Sequence, residues 1–95
     1  MKKNARLAFN ALKKIGCPVY EGTWDGDDDY FRISAEENYG DDLWADYYIM
    51  TDGGYDGGIE GMDDFGVNEK INAILKKYRL TCEWANAAVL DVYPA

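Results

Sequence analysis

The spacing of apolar residues changes along the chain, and each change marks out an element. Over 3–15, Ala5, Ala8, Phe9, Leu12 and Ile15 recur at three- and four-residue intervals and form one stripe of an amphipathic helix. Gly16 stands where a left-handed residue ends a helix, Pro18 bars continuation, and Lys13 and Lys14 suit the negative end of the helix dipole. The period then falls to two. A strand is predicted over 19–24 and a second over 30–36, where Phe31, Ile33 and Ala35 alternate with Tyr30, Arg32, Ser34 and Glu36. Asp25-Gly26 opens the connection, so the pair reads as an antiparallel hairpin with an acidic tip. A turn at 38–42 leads to a third strand over 43–51, with Leu43, Ala45, Tyr47 and Ile49 on one face and Trp44, Asp46, Tyr48 and Met50 on the other. Residues 52–64, glycine-rich among Asp and Glu, read as a long loop, and loops of that length in compact domains tend to carry function.

Helical spacing returns with Val67, Ile71, Ile74, Leu75 and Tyr78, predicting a helix over 66–79 with Asp64 or Asn68 as its cap. Leu80, Cys82 and Trp84 alternate, Ala85-Asn86-Ala87 turns, and 89–93 is the last strand. The order α-β-β-β-α-β-β predicts an α+β domain, a mainly antiparallel sheet with two helices packed on one face. Its expected core is Phe9, Leu12, Ile15, Phe31, Ile33, Ile49, Ile71, Leu75, Trp84, Leu90 and Val92.

The chain of 95 residues suits one domain, 1–95, and is too short for two. Its 14 aromatic residues argue against disorder, because disordered acidic chains lack aromatics. No apolar run approaches the ~20 residues that span a bilayer. The basic start resembles a signal peptide, but polar and basic residues interrupt the run after Ala8, so a cytoplasmic location is expected. Cys17 and Cys82 are expected as separate buried thiols. There is no histidine, which removes the commonest general base and the commonest zinc ligand.

Charge changes the picture most. Residues 21–64 hold 15 of the 18 carboxylates and one base, Arg32, a local charge of −14 within a chain of net charge −8. Eight aromatics lie among those acids: Trp24, Tyr30, Phe31, Tyr39, Trp44, Tyr47, Tyr48 and Tyr55. Asp25, Asp27, Asp29 and Glu36 match positions 1, 3, 5 and 12 of a calcium loop, but Tyr30 occupies the position that needs glycine, so no metal site is expected. Acid pairs such as Asp41/Asp42 and Asp63/Asp64 read as solvated turns rather than as acid and base, so neither catalysis nor a cofactor is expected. On an extended strand, alternate acids lie ~6.6 Å apart on one face, so Asp25, Asp27 and Asp29 are expected to form a row comparable to successive phosphates.

Size, charge and the stretch Tyr20-Glu21-Gly22-Thr23-Trp24-Asp25-Gly26-Asp27-Asp28-Asp29 resemble the small phage-encoded inhibitors of host defence, the anti-CRISPR and antirestriction DNA mimics. The run from Ala11 to Tyr20 and the order of elements are similar to phage tail-terminator proteins. The first resemblance implies a non-enzymatic inhibitor, monomeric or dimeric, that blocks a basic, nucleic-acid-binding protein such as a CRISPR or restriction nuclease without binding nucleic acid itself. The second implies a phage structural subunit that assembles into a ring, and a general acidic interaction module is a further alternative. The expected partner-binding residues are Asp25, Asp27, Asp28, Asp29, Glu36, Glu37, Asp41, Asp42, Trp44, Asp46, Tyr48, Asp52, Tyr55, Asp56, Glu60, Asp63 and Asp64.

Overall fold

A computed structural model of the chain describes residues 1–37, 43–48 and 60–95. The expectations for the turn at 38–42, for Asp41, Asp42, Ile49, Asp52, Tyr55 and Asp56, and for most of the glycine-rich loop fall outside them. The first helix, α1, is Lys3–Lys14, and it buries the expected Ala5, Ala8, Phe9 and Leu12. Gly16, at φ 89°, closes it: the Gly16 N–H donates to Lys13 O at 3.0 Å and the Cys17 N–H to Leu12 O at 3.0 Å. These two bonds are the Schellman pattern, in which the residue after the left-handed glycine folds back on the helix. That closure corrects one core assignment. Ile15 is 41 % exposed, and Cys17 takes the buried place that the helical stripe gave to it.

Strands β1 (Val19–Glu21), β2 (Phe31–Ser34), β3 (Leu80–Asn86) and β4 (Val89–Pro94) form one antiparallel sheet in the order β1-β2-β4-β3. The second helix, α2, is Glu69–Lys77, and Asn68 caps it by accepting the Lys70 N–H at 2.8 Å. Both helices lie against one face, so the fold is α+β as expected. Phe31, Ile33, Leu90 and Val92 meet Ala5, Ala8, Phe9, Leu12, Ile71 and Leu75 there, with Phe9 edge-on to Phe31 at 5.4 Å. Trp84 is half-buried against this core rather than inside it. Among the described residues no helix is long and apolar enough to cross a membrane. Cys17 is a free buried thiol and Cys82 a free, half-buried one.

The expected strand over 43–51 is not a strand in its described part. Ala45 makes a single bridge to Val67, and Tyr47 and Tyr48 are already helical. Asp46 is the reason: its carboxylate accepts the Tyr48 N–H at 3.0 Å, the capping geometry that aspartate offers in competition with extended backbone. The Asn68 side chain fastens this segment to the one before α2 by donating to Leu43 O at 2.9 Å. Asp63 ties that second segment together and to α2, accepting from the N–H groups of Phe65 and Val67 and from the Asn72 amide.

Candidate functional site

Antiparallel pairing puts Tyr20, Arg32, Asp91 and Glu83 opposite one another across all four strands, on the face that the helices leave open. The turn region after β1 folds onto this row. The Trp24 N–H donates to Asp91 Oδ1 at 2.8 Å, and the Tyr93 hydroxyl donates to Oδ2 at 3.2 Å, so a carboxylate only 3 % exposed is held by uncharged donors. Arg32 does not pair with it. Its Nη1 donates to Glu21 O at 2.8 Å and Gly22 O at 3.1 Å, while the guanidinium lies 5.5 Å from the Tyr20 ring centre. Arg32 therefore holds the start of the loop and Asp91 holds its crest. The consequence is that Trp24 stands 64 % exposed between two shallow depressions. One, of about 290 Å³, is bounded by Tyr20, Arg32, Ser34 and Glu36; the other, of about 260 Å³, by Asp25, Glu83, Asp91 and Tyr93. Loss of water around the Tyr93 phenol, then the charges of Asp91 and Asp25, raise its pKa above the ordinary tyrosine value.

The expected phosphate-like row of acids does not form. Residues 24–25 and 28–29 are turns, and the loop consumes its own carboxylates. Thr23, buried, donates its hydroxyl to Asp25 Oδ1 and accepts the Asp27 N–H at 3.0 Å, and Asp27 Oδ1 accepts the Asp29 N–H at 2.9 Å. Gly26, at φ 91°, makes the reversal that brings its N–H to Thr23 O at 3.0 Å. Short acidic side chains satisfy nearby backbone donors more readily than they hold an extended spacing. Asp28 and Asp29 remain exposed. Among the described residues, no three His, Cys, Asp or Glu side chains converge as a metal site would require.

The other expected contacts divide in the same way. Trp44 is a correction: at 3 % exposure it belongs to the core. Asp63 and Asp46 are occupied with local backbone, as described above. Glu36, Glu60 and Asp64 are exposed, and Glu37 accepts the Tyr20 hydroxyl at 2.6 Å. Tyr48 is exposed and edge-on to Tyr47, which is edge-on to Trp84 at 5.4 Å. The structure thus gathers Asp25, Glu36 and Glu37 around a centre that charge counting missed: Trp24, Tyr20, Arg32, Glu83, Asp91 and Tyr93. One signal for it stood in the sequence. Asp91 interrupts the apolar strand Val89-Leu90-Asp91-Val92, and a carboxylate in such a strand needs dedicated donors.

The bases lie elsewhere. Nine of the ten, all but Arg32, sit on α1, α2 or the residues flanking them, where Glu69 is the sole acid of either helix. Among the described residues one ion pair forms, Arg6–Glu21. Its hydrogen bond and then the charge of Arg6 hold the Glu21 carboxyl below its usual pKa. Among the described residues charge is therefore segregated, with nine bases on or beside the helices and Asp25, Glu36 and Glu83 beside the open face of the sheet. Comparison with protein-family models, with curated proteins and with solved structures returns no match to this chain.

Proposed function

We propose that the protein is a non-enzymatic binding protein whose acidic open sheet face, anchored by Trp24, occupies a basic, nucleic-acid-binding surface of another protein and competes with nucleic acid there. The observation that carries this reading is the segregation of charge: among the described residues Asp25, Glu36 and Glu83 border the open face, the helices carry most of the bases, and one ion pair joins acid to base. Uncompensated charge of one sign on one face raises the encounter rate with an oppositely charged surface. An exposed tryptophan at the crest is the kind of rigid aromatic that anchors an interface.

The test is displacement of labelled DNA from a CRISPR effector nuclease and a restriction nuclease, followed by fluorescence anisotropy. Displacement should weaken steeply with salt, and Trp24→Ala should cost about 2 kcal/mol or more of affinity, the size of an interface hot spot. DNA binding that is unchanged at saturating protein contradicts the reading. The same polarity also favours a second reading, head-to-tail assembly of copies into a ring, in which one copy's basic layer meets the next copy's acidic face. Light scattering separates the two, since only the ring reading requires a multimer without a partner.

A further inference from the structure

Among the described residues the sheet has one long unpaired edge. β3 lies outermost and runs from Leu80 to Asn86, whereas the opposite edge strand, β1, has three residues. The direction of its backbone groups follows from two bonds beyond the strand ends. The Ala95 N–H donates to Arg79 O at 3.0 Å and the Ala35 N–H to Ala88 O at 2.8 Å. In an antiparallel ladder, hydrogen-bonded pairs recur every second residue. Arg79/Ala95 therefore makes Thr81/Tyr93 and Glu83/Asp91 the bonded pairs, and the amides and carbonyls of Leu80, Cys82 and Trp84 point away from β4. No described backbone group pairs with them.

The two sides of this edge differ. Toward the helices, Cys82, Trp84, Phe65, Val67 and Leu90 supply the apolar part of a groove of about 580 Å³ that Asp63 and Asn72 also line. Toward the open face, Glu83 stands exposed beside the depression that Asp25 and Asp91 border. A strand laid along β3 would alternate its side chains between these two environments. Residues opposite Leu80, Cys82 and Trp84 fall over the apolar part of the groove, and those opposite Thr81 and Glu83 over the acids. We infer that the β3 edge accepts an extended segment of a basic partner protein by strand addition, with apolar residues alternating with lysine or arginine. A second copy of this chain is disfavoured as the occupant, because each copy carries a net charge of −8. The inference rests on the reading that the partner is basic and names how a part of it is held.

The probe is the peptide acetyl-Lys-Val-Lys-Val-Lys-Val-Lys-amide, added to the ¹⁵N-labelled full chain. Strand addition should slow hydrogen exchange at the Leu80, Cys82 and Trp84 amides at least ten-fold, because those groups acquire partners only then. In antiparallel addition the N–H groups of the three valines face β3, so their N-methylation should abolish binding, whereas N-methylation of the lysines should leave it within about three-fold, since those N–H groups face away. Glu83→Lys should weaken binding at least ten-fold without altering the valine-versus-lysine contrast. Binding that is indifferent to which residues are methylated, with no protection at the three amides, would mean electrostatic coating and overturns the inference. So does absence of binding at 1 mM peptide, or a dimer of the peptide-free chain that protects the same amides. Strand capture is read at β3 and DNA displacement on the target protein, so failure of one leaves the other standing and the two claims fail separately.

Discussion

The two faces of the sheet are made of alternate residues of the same strands, yet they are stabilised by different physics. On the helix side Phe31, Ile33, Leu90 and Val92 are sealed against α1 and α2, and any side chain of similar size and polarity would serve. On the open side Tyr20, Arg32, Asp91 and Glu83 form a polar row whose geometry depends on individual hydrogen bonds, above all those from Trp24 and Tyr93 to Asp91. The first face gives the domain its stability. The second gives it a shaped, charged surface at modest cost, because each buried polar atom of the row has a partner. A carboxylate buried among apolar strand residues is tolerable only if its donors are supplied, and here a loop supplies them while presenting a tryptophan.

If the division is correct, damage to the helix side should be large and functionally mute. Leu75→Ala removes a buried side chain of α2 and should cost about 2–5 kcal/mol in urea melts, with DNA displacement by the folded fraction unchanged. A loss below about 0.5 kcal/mol would mean that Leu75 is not part of the packed layer. On the open side Asp91→Ala should cost less, about 1–3 kcal/mol, because it leaves the Trp24 N–H without its acceptor. Exchange of that amide should accelerate, and displacement should fall with it. Asp91→Asn keeps an acceptor and should recover most of both.

Smaller effects sharpen the contrast further. Burial pushes both thiols up to about 12, so in the native protein at pH 8 iodoacetamide should modify Cys17 and Cys82 roughly a hundred-fold or more slowly than in urea. The rate should climb as pH approaches that value, since only the thiolate reacts. Arg6→Ala should return the Glu21 pKa toward its usual value, seen by NMR titration of the carboxyl. Because that pKa is depressed in the fold, the pair's contribution is present above the unfolded pKa and is lost as pH falls through the folded one. Arg79, the residue after the α2 cap, sits at φ 61°, so Arg79→Gly should add about 0.5–1 kcal/mol by relieving a left-handed side chain.

The helix side was legible in the sequence because its signal is a period. Ala5, Ala8, Phe9 and Leu12, or Phe31 and Ile33, announce their face by spacing, and the structure seals them where that spacing places them. The exceptions are local. Ile15 continued the stripe on paper, but Gly16 turned the chain and brought Cys17 inward. Tyr47 and Tyr48 alternated like a strand, but Asp46 began a helical turn. The candidate site was less legible because it is made of hydrogen bonds between distant residues. Trp24 and Asp91 are 67 positions apart, and no local pattern pairs them. Counting acids did not show what they bond to: Asp25 and Asp27 fold their loop, and Asp63 ties α2 to the preceding segment.

The central claim is that the acidic sheet side, rather than net charge, makes the contact. Two triple variants test it in the DNA-displacement assay, each first shown by its melting curve to be folded. One reverses exposed acids that border the two depressions, Asp25→Lys, Glu36→Lys and Glu83→Lys; the other reverses exposed bases of the helical layer, Lys13→Glu, Lys14→Glu and Lys77→Glu. The account predicts that the first abolishes displacement, while the second changes it by less than about three-fold. Equal and opposite effects of the two variants, which shift net charge by the same amount in opposite directions, would contradict it.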